Sequence, residues 1–228
     1  MIVTGVPEGD TLVESQNDYH TMLTGVNVIE KNGYSYVRTV QSVKTLHQPS
    51  GLLFDLYLDN DGYVRNEQVA QGETLIIDIG EGTTDVSIFH DLRKTSGFSI
   101  KKGVSEVARQ ILGRIGSQIK APITLADVQR TVRSESKTIV AGRESLDISQ
   151  PIQEVKQMVV DNILSQIQSR VQNRDQFARV LVGGGGAGFF NDALLDWQGD
   201  AVVISDQTAI ARGFRKFGLA SARREGLV

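Results

Sequence analysis

Apolar positions along the chain alternate between two periods, and the changes of period mark its elements. Ile2-Val3-Thr4-Gly5-Val6-Pro7 reads as the end of a strand entering a turn. The spacing then predicts a helix over 12–23, stopped at Gly25. Val26 to Glu30 and Tyr34 to Arg38 flank Lys31-Asn32-Gly33, where Asn-Gly supplies the positive φ angles of a tight hairpin. The second of these strands is expected to run on through Val40 and Val43 to Leu46. After His47-Gln48-Pro49-Ser50, the apolar stretch 51–58 reads as a short buried helix, ended by Asp59-Asn60-Asp61-Gly62. The polar residues 62–73 read as a boundary between two lobes.

Thr74-Leu75-Ile76-Ile77-Asp78-Ile79-Gly80 is a run of the kind buried on both faces of a sheet. Glu81-Gly82-Thr83 turns the chain, and Thr84 to Phe89 returns with period-two alternation, so this is strand–turn–strand. Helices are expected over 103–118 and 126–141, the latter opened by Thr124 as N-cap. Pro151 fits the first turn of a long helix in which Ile152, Val155, Val159, Ile163, Ile167 and Val171 recur every three or four residues. Arg179 to Val182 is a further buried strand, then come Gly183 to Gly186 and a helix through Leu195. Ala201 to Ser205 is the last strand, with Asp206 capping a closing helix through Phe217. Hairpins mixed with strand–helix units predict an α/β protein with a mixed sheet.

Composition narrows the function classes. There are 23 glycines against 4 prolines, and the glycines punctuate apolar runs, which is not how a linker is built. Cysteine is absent, which excludes disulfides, thiolate chemistry and Cys-based zinc sites. His20, His47 and His90 are too scattered for a His-metal cluster. The net charge of −3 offers no electrostatic footprint for nucleic acid, so no direct nucleic-acid binding is expected. No apolar run reaches the roughly 18 residues of a membrane span, and the opening residues do not form a signal peptide. The expectation is a cytoplasmic protein with no membrane association.

Two segments carry candidate chemistry. In Asp78-Ile79-Gly80-Glu81-Gly82-Thr83-Thr84-Asp85, the glycines let backbone N–H groups approach an anion, and Thr83 and Thr84 add hydroxyls. Asp78, closing an Ile-rich strand, suits the hydration shell of Mg²⁺ or an attacking water. The alternative is a tight hairpin serving turn chemistry alone. In Gly183-Gly184-Gly185-Gly186-Ala187-Gly188, a glycine turn feeds a helix N-terminus, where a nucleotide can lie flat against backbone. This segment satisfies G-x-G-x-x-G, and Asp206 follows 23 positions after Gly183, the pattern of a Rossmann dinucleotide site. The motif stands late, however, whereas that fold carries it early. A close strand–helix crossing without ligand is the third reading. Gln48, 30 positions before Asp78, can orient a water, and a loop role is its alternative.

Taken in order, these segments resemble the actin, DnaK-type chaperone and sugar-kinase superfamily. Asp78 to Asp85 resembles its second phosphate loop, Val182 to Ala187 its adenosine motif, and Asp206 to Phe214 its closing helix. Gly5-Val6-Pro7 before a hairpin and a Gln-Pro turn is most similar to plasmid-segregation actins of the ParM/StbA type. The resemblance implies an actin-like (ribonuclease H-like) fold of mixed-sheet lobes, with nucleotide in the cleft between them. Residues 1–70 would be the C-terminal part of a first lobe and residues 71–228 a complete second lobe. It implies ATP (or GTP) and Mg as cofactors, ATP hydrolysis as the reaction, self-association into filaments, and a DNA-bound adaptor protein as partner.

Carried over by residue, Asp78 would hold Mg through water or polarise the attacking water, and Gln48 would orient that water. Gly80, Glu81, Gly82, Thr83 and Thr84 would line the phosphates, and Gly183, Gly184, Gly185, Gly186 and Ala187 would contact the adenosine. Asp78-Ile79-Gly80 is the one D-x-G of the chain, so the first phosphate loop of the superfamily has no counterpart, and a truncated domain inactive alone is expected. The alternatives are a non-catalytic assembly module, a small-molecule kinase or chaperone ATPase of the same superfamily, and the Rossmann domain.

Overall fold

The computed structural model describes residues 1–171, 173–198, 202–204 and 206–227. A five-stranded mixed sheet organises them, and its middle is the apolar run seen in the sequence. The strands are β1 (Ile2–Val6), β2 (Gly25–Lys31), β3 (Tyr34–Val40), β4 (Val43–His47), β5 (Glu73–Ile79), β6 (Thr84–His90), β7 (Arg93–Ile100), β8 (Thr138–Ala141), β9 (Glu144–Asp147), β10 (Arg179–Gly183) and β11 (Val202–Val203). The helices are α1 (Leu12–Leu23), α2 (Ser50–Tyr57), α3 (Val104–Ile115), α4 (Leu125–Arg133), α5 (Ser149–Arg170), α6 (Ala187–Gln198) and α7 (Ala209–Arg224).

The sheet runs β11-β10-β5-β6-β7, parallel through β11, β10 and β5 and antiparallel beyond. Strand β5 is buried on both faces, and each face has its own cover. Leu75, Ile77 and Ile79 join Val86 and Val182 in the larger core, with Val107 and Ile111 of α3 and Val155, Val159 and Ile163 of α5. Ile76, Leu181 and Phe89 look the other way, onto Leu52 and Leu53 of α2 and Ala209 of α7. Burial of this kind contributes about 1.5–3 kcal/mol per large aliphatic side chain. The sheet is therefore a middle layer, with α2 and α7 on one side and α3 and α5 on the other. Smaller pairings complete the fold: β1 with β4 in parallel, and two antiparallel hairpins, β2–β3 and β8–β9.

Several expectations need correction. The strand from Tyr34 does not continue to Leu46. It ends at Val40, and after Gln41-Ser42 the chain re-enters as β4, whose partner is β1, with Val6 opposite His47. The helix opened by Thr124 has the expected capping box with Asp127 but stops at Arg133. Residues 138–141 are strand β8, because Ile139 is buried while Val140 faces solvent, a period of two, and Gly142 turns the chain into β9 at φ 61°. Strand β7 has no forecast: it is polar, contains Gly97, and follows a turn at Asp91-Leu92 in which two non-glycine residues take φ of 46° and 66°. The closing helix runs on to Arg224. Of the last expected strand, Ala201 and Ser205 lie outside the described residues.

Candidate functional site

The β5–β6 turn is held from behind. The Gly80 amide donates to the Thr83 carbonyl at 2.8 Å, closing the turn. Its outer carbonyls are then taken by the start of α3: Val104 N–H donates to Gly80 O at 3.2 Å and Ser105 N–H to Glu81 O at 2.8 Å. Gly103 permits this approach, since a Cβ there would collide with both carbonyls. With the carbonyls satisfied, the amides of Gly82 and Thr83 have no backbone acceptor among the described residues, which is the arrangement an anion needs.

Beside the turn is a cavity of about 530 Å³. Asp78, Gly80, Thr83 and Asp85 line it from the β5–β6 hairpin, and Gly184 and Gly185 from the loop after β10. Val3, Thr4 and Gly5 of β1 and Gln48 face them, and Gln207, Ile210, Ala211 and Phe214 close the side at α7. Parallel pairing of β10 with β5 sets Gly183 opposite Asp78, so both candidate loops leave the sheet at one end. Gly184 has φ 90°, and a Cβ on it would collide with Asp78 Oδ1 and Ile79 O. Two independent constraints therefore select glycine there.

Asp78 is 6% exposed and makes no side-chain hydrogen bond among the described residues. Burial, and secondarily the charge of Asp85, pushes its carboxyl up to about 7. Asp85 stands opposite it in the ladder. It is 2% exposed, and burial raises its carboxyl too, although it accepts hydrogen bonds from the Ser99 hydroxyl and the Glu8 amide.

The remaining candidates separate by position. Gln48 donates its backbone N–H to Val6 O at 2.8 Å and turns its side chain to the cavity wall near Gly5. Glu81 faces outward, paired with Arg133, and lines a second cavity of about 590 Å³ that shares Gly185 and Gln207 with the first. Gly82 is exposed with open space at its Cβ position. Thr84 is fully buried and spends its hydroxyl on Lys102 O at 2.9 Å, so it lies off the cavity. Gly183 packs on Leu52, Gly186 donates to Ile79 O at 2.7 Å, and Ala187 is buried behind them. These three build the loop, while Gly184 and Gly185 present it.

The α7 wall is fixed by an ion cluster around the buried Asp55 carboxylate. Arg212 grips Asp55 of α2 with Nε on Oδ1 at 2.7 Å and Nη2 on Oδ2 at 2.6 Å, and Lys216 Nζ reaches Asp55 Oδ1 at 2.8 Å. Burial opposes ionisation of Asp55, but the two cations outweigh it and hold its carboxyl below the usual range. Helices α2 and α7 touch backbone to backbone, where a Cβ on Gly213 would overlap Gly51 O.

The family described as archaeal actin homologue MreB-like, C-terminal, matches residues 76–196, just over half of the chain. The chain belongs to the MreB-like actin homologues. Solved structures agree on the fold. The apo psk41 ParM protein is 23% identical with a TM-score of 0.72, over 98% of this chain and 63% of that one. An archaeal actin homolog, Ta0583, solved in complex with ADP, is 19% identical with a TM-score of 0.77, over 98% of this chain and 73% of that one. A 15-stranded ParM filament from Clostridium botulinum gives 17% and 0.72, over 95% of this chain and 65% of that one. The chain thus spans less than two thirds of the length of some of the structures it resembles. No curated protein matches it significantly.

For an MreB-like actin homologue, the mixed sheet and the family match over residues 76–196 remove the Rossmann alternative. Asp206, the acid that reading placed on a ribose, is instead committed to the start of α7. Its Oδ1 accepts from Thr208 N–H at 2.8 Å and Thr208 Oγ1 at 2.7 Å, and Arg212 pairs with Oδ2. The homologue's cavity also holds residues to which the sequence assigned no role. Asp85 was readable from the hairpin, because a four-residue turn over 80–83 places 85 beside 78. Gln207 and Phe214 fall in the segment that resembles the closing helix, but nothing local to it places them on the cavity, and the Asp55–Arg212 pair behind that wall joins residues 157 positions apart.

Proposed function

We propose that this chain is a nucleotide-binding domain of the actin type, taking ATP or GTP with Mg in the cavity between β1, the β5–β6 turn, the 184–185 loop and α7. The observation that carries it is the convergence of Asp78, the free turn amides and Gly184 on one opening. The fit is specific: the collision a Cβ at Gly184 would make keeps the floor at backbone level, where phosphate oxygens meet N–H donors. With 1–70 and 71–228 read as two lobes, Val3 to Gly5 and Gln48 of the first would face the turn and the 184–185 loop of the second, with α2 of the first packed on the sheet of the second. Mg, when bound, would neutralise phosphate charge and polarise the transferred group. Asp78 would hold water in its shell, Gln48 would orient a water from the opposite wall, and Gly82, Thr83 and Gly185 would donate to anionic oxygens. The adjoining second cavity, reached past Gly185 and Gln207, offers room for the base.

The larger role is a filament-forming protein of the DNA-segregation type, cytoplasmic and linked to DNA by an adaptor. The resemblance to a ParM filament and the unpartnered apolar positions of β2–β3 support self-association. Calorimetry with Mg-ATP and Mg-GTP, beside light scattering, tests both levels. Binding and assembly are expected to fall together in Asp78→Ala, and unchanged binding and assembly there overturns the site.

A further inference from the structure

We propose that α1 and the β2–β3 hairpin dock a second copy of this chain, in a two-fold pair where the α1 of each copy lies on the hairpin of the other. This deepens the self-association read above and rests on that reading for its purpose, while every residue it uses lies off the nucleotide cavity. Among the described residues, Val26, Val28, Ile29, Tyr34, Tyr36 and Val37 put six large exposed apolar side chains on this one hairpin. The register sets Ile29 opposite Tyr36 and Lys31 opposite Tyr34, and Arg38 follows on the same face. The Arg38 guanidinium lies 5.7 Å from the centre of the Tyr36 ring. Ile29, Lys31, Tyr36 and Arg38 line a hollow of about 470 Å³. That face is apolar and aromatic between two cations, and no further strand pairs with the ribbon.

Helix α1 offers the complement. It has no buried residue, and its half-covered side carries Gln16, whose amide holds Val43 O and Thr45 N of β4. On the other side Glu14, Asp18 and Met22 recur every four residues, all exposed. Charge is sorted by segment: residues 8–30 contain five acids and no Lys or Arg, whereas 31–54 contain Lys31, Arg38 and Lys44 and no acid. Among the described residues Glu14, Asp18, Lys31 and Arg38 form no ion pair within the chain. The two surfaces are therefore complementary in sign and unspent, which favours contact between copies. They also match in length. The α1 stripe from Glu14 to Met22 rises about 12 Å, and Lys31 stands about 13 Å along the ribbon from the Asn27–Arg38 pair. A helix stripe in such a groove is a known mode of recognition. Only Thr24 separates α1 from β2, so stripe and groove are neighbours, and one two-fold axis can form both contacts at once. Doubling the contact matters, because a stable interface takes about 800 Å² from each partner.

Sedimentation velocity on the nucleotide-free chain, across protein and salt concentration, tests this. A monomer–dimer equilibrium that weakens as salt is added is expected. Glu14→Lys with Asp18→Lys, and separately Lys31→Glu with Arg38→Glu, should each weaken the dimer about tenfold or more, while exposed Glu135→Lys leaves it intact. All four positions are exposed, so wild-type thermal melting of the double variants is expected alongside. Mixing the two double variants sets an all-cationic surface against an all-anionic one and should restore a dimer with both contacts made. A chain monomeric at every concentration, a dimer indifferent to both double variants, or a mixture that stays monomeric overturns the inference. So does binding of single-stranded DNA by the monomer that is lost in Tyr34→Ala with Tyr36→Ala, which gives the face to stacked bases. Scattering driven by Mg-ATP or Mg-GTP from a chain that is monomeric without nucleotide removes the pair and leaves the filament reading standing. A dimer of this kind with no scattering under either nucleotide does the reverse.

Discussion

Strands β5 and β3 are both seven residues long and both rich in β-branched or aromatic side chains, yet they meet opposite fates. Six residues of β5 are buried between two helical layers, whereas six of β3 are exposed and the seventh is only half-covered. On β2, Val28 is 66% exposed. Strand β5 has β10 and β6 on its two edges, while β3 has β2 alone. The comparison teaches that an apolar strand pattern specifies an extended backbone and leaves its burial to whatever covers it. Two-stranded ribbons gain little by themselves, so the stability of this chain resides in the sheet and its two covers.

The hardest test of that contrast is at the α2–α7 crossing that covers one face of β5. Gly213→Val would drive a side chain into Gly51 O and Asp55 N. It is expected to cost more than about 4 kcal/mol, or to prevent folding, in thermal denaturation. Next is the buried acid at the end of β5. Because the folded pKa of Asp78 lies above its unfolded value, the native state holds a proton that the unfolded chain has released between these two pKa values. Stability should therefore be greatest below pH 4 as far as this group is concerned, and fall by about 4 kcal/mol as pH rises through about 7. Denaturant melts across that range should show the slope in wild type and lose most of it in Asp78→Asn.

A core truncation in the same strand, Ile77→Ala, is expected to cost about 3 kcal/mol in urea unfolding. The matching change on the hairpin, Val28→Ala, should stay within about 0.5 kcal/mol. Equal costs at the two positions would mean that the hairpin is covered in solution, and running the pair above and below the assembly concentration would then show whether a second copy covers it.

Much of the candidate site is legible in the sequence because the residue types that mark it are local. The glycines at 80, 184 and 185 and the acid at 78 announce themselves by residue type at strand ends, and the structure sets all four on one cavity. Thr84 was read as a donor toward phosphate because a hydroxyl in a glycine turn looks available. Its pairing opposite Ile79 instead puts it inside the sheet, where its hydroxyl donates a hydrogen bond to Lys102 O. Strand β7 escaped notice for the opposite reason. As an edge strand it needs no apolar alternation, and its Gly97 is there because a Cβ would strike Glu8.

The amino-acid order alone therefore determined where backbone is extended or helical, where it turns, and which short segments can meet an anion, because periodicity, capping and glycine conformations act over a few neighbouring residues. Tertiary structure alone decided that β4 pairs with β1, that α2 covers the far face of β5, that Asp55 locks Arg212 and Lys216, and that Asp85 faces Asp78 with an oxygen unsatisfied. Those choices depend on which apolar faces meet and which charges are buried together, and such energies arise only between residues that the folded chain brings into contact.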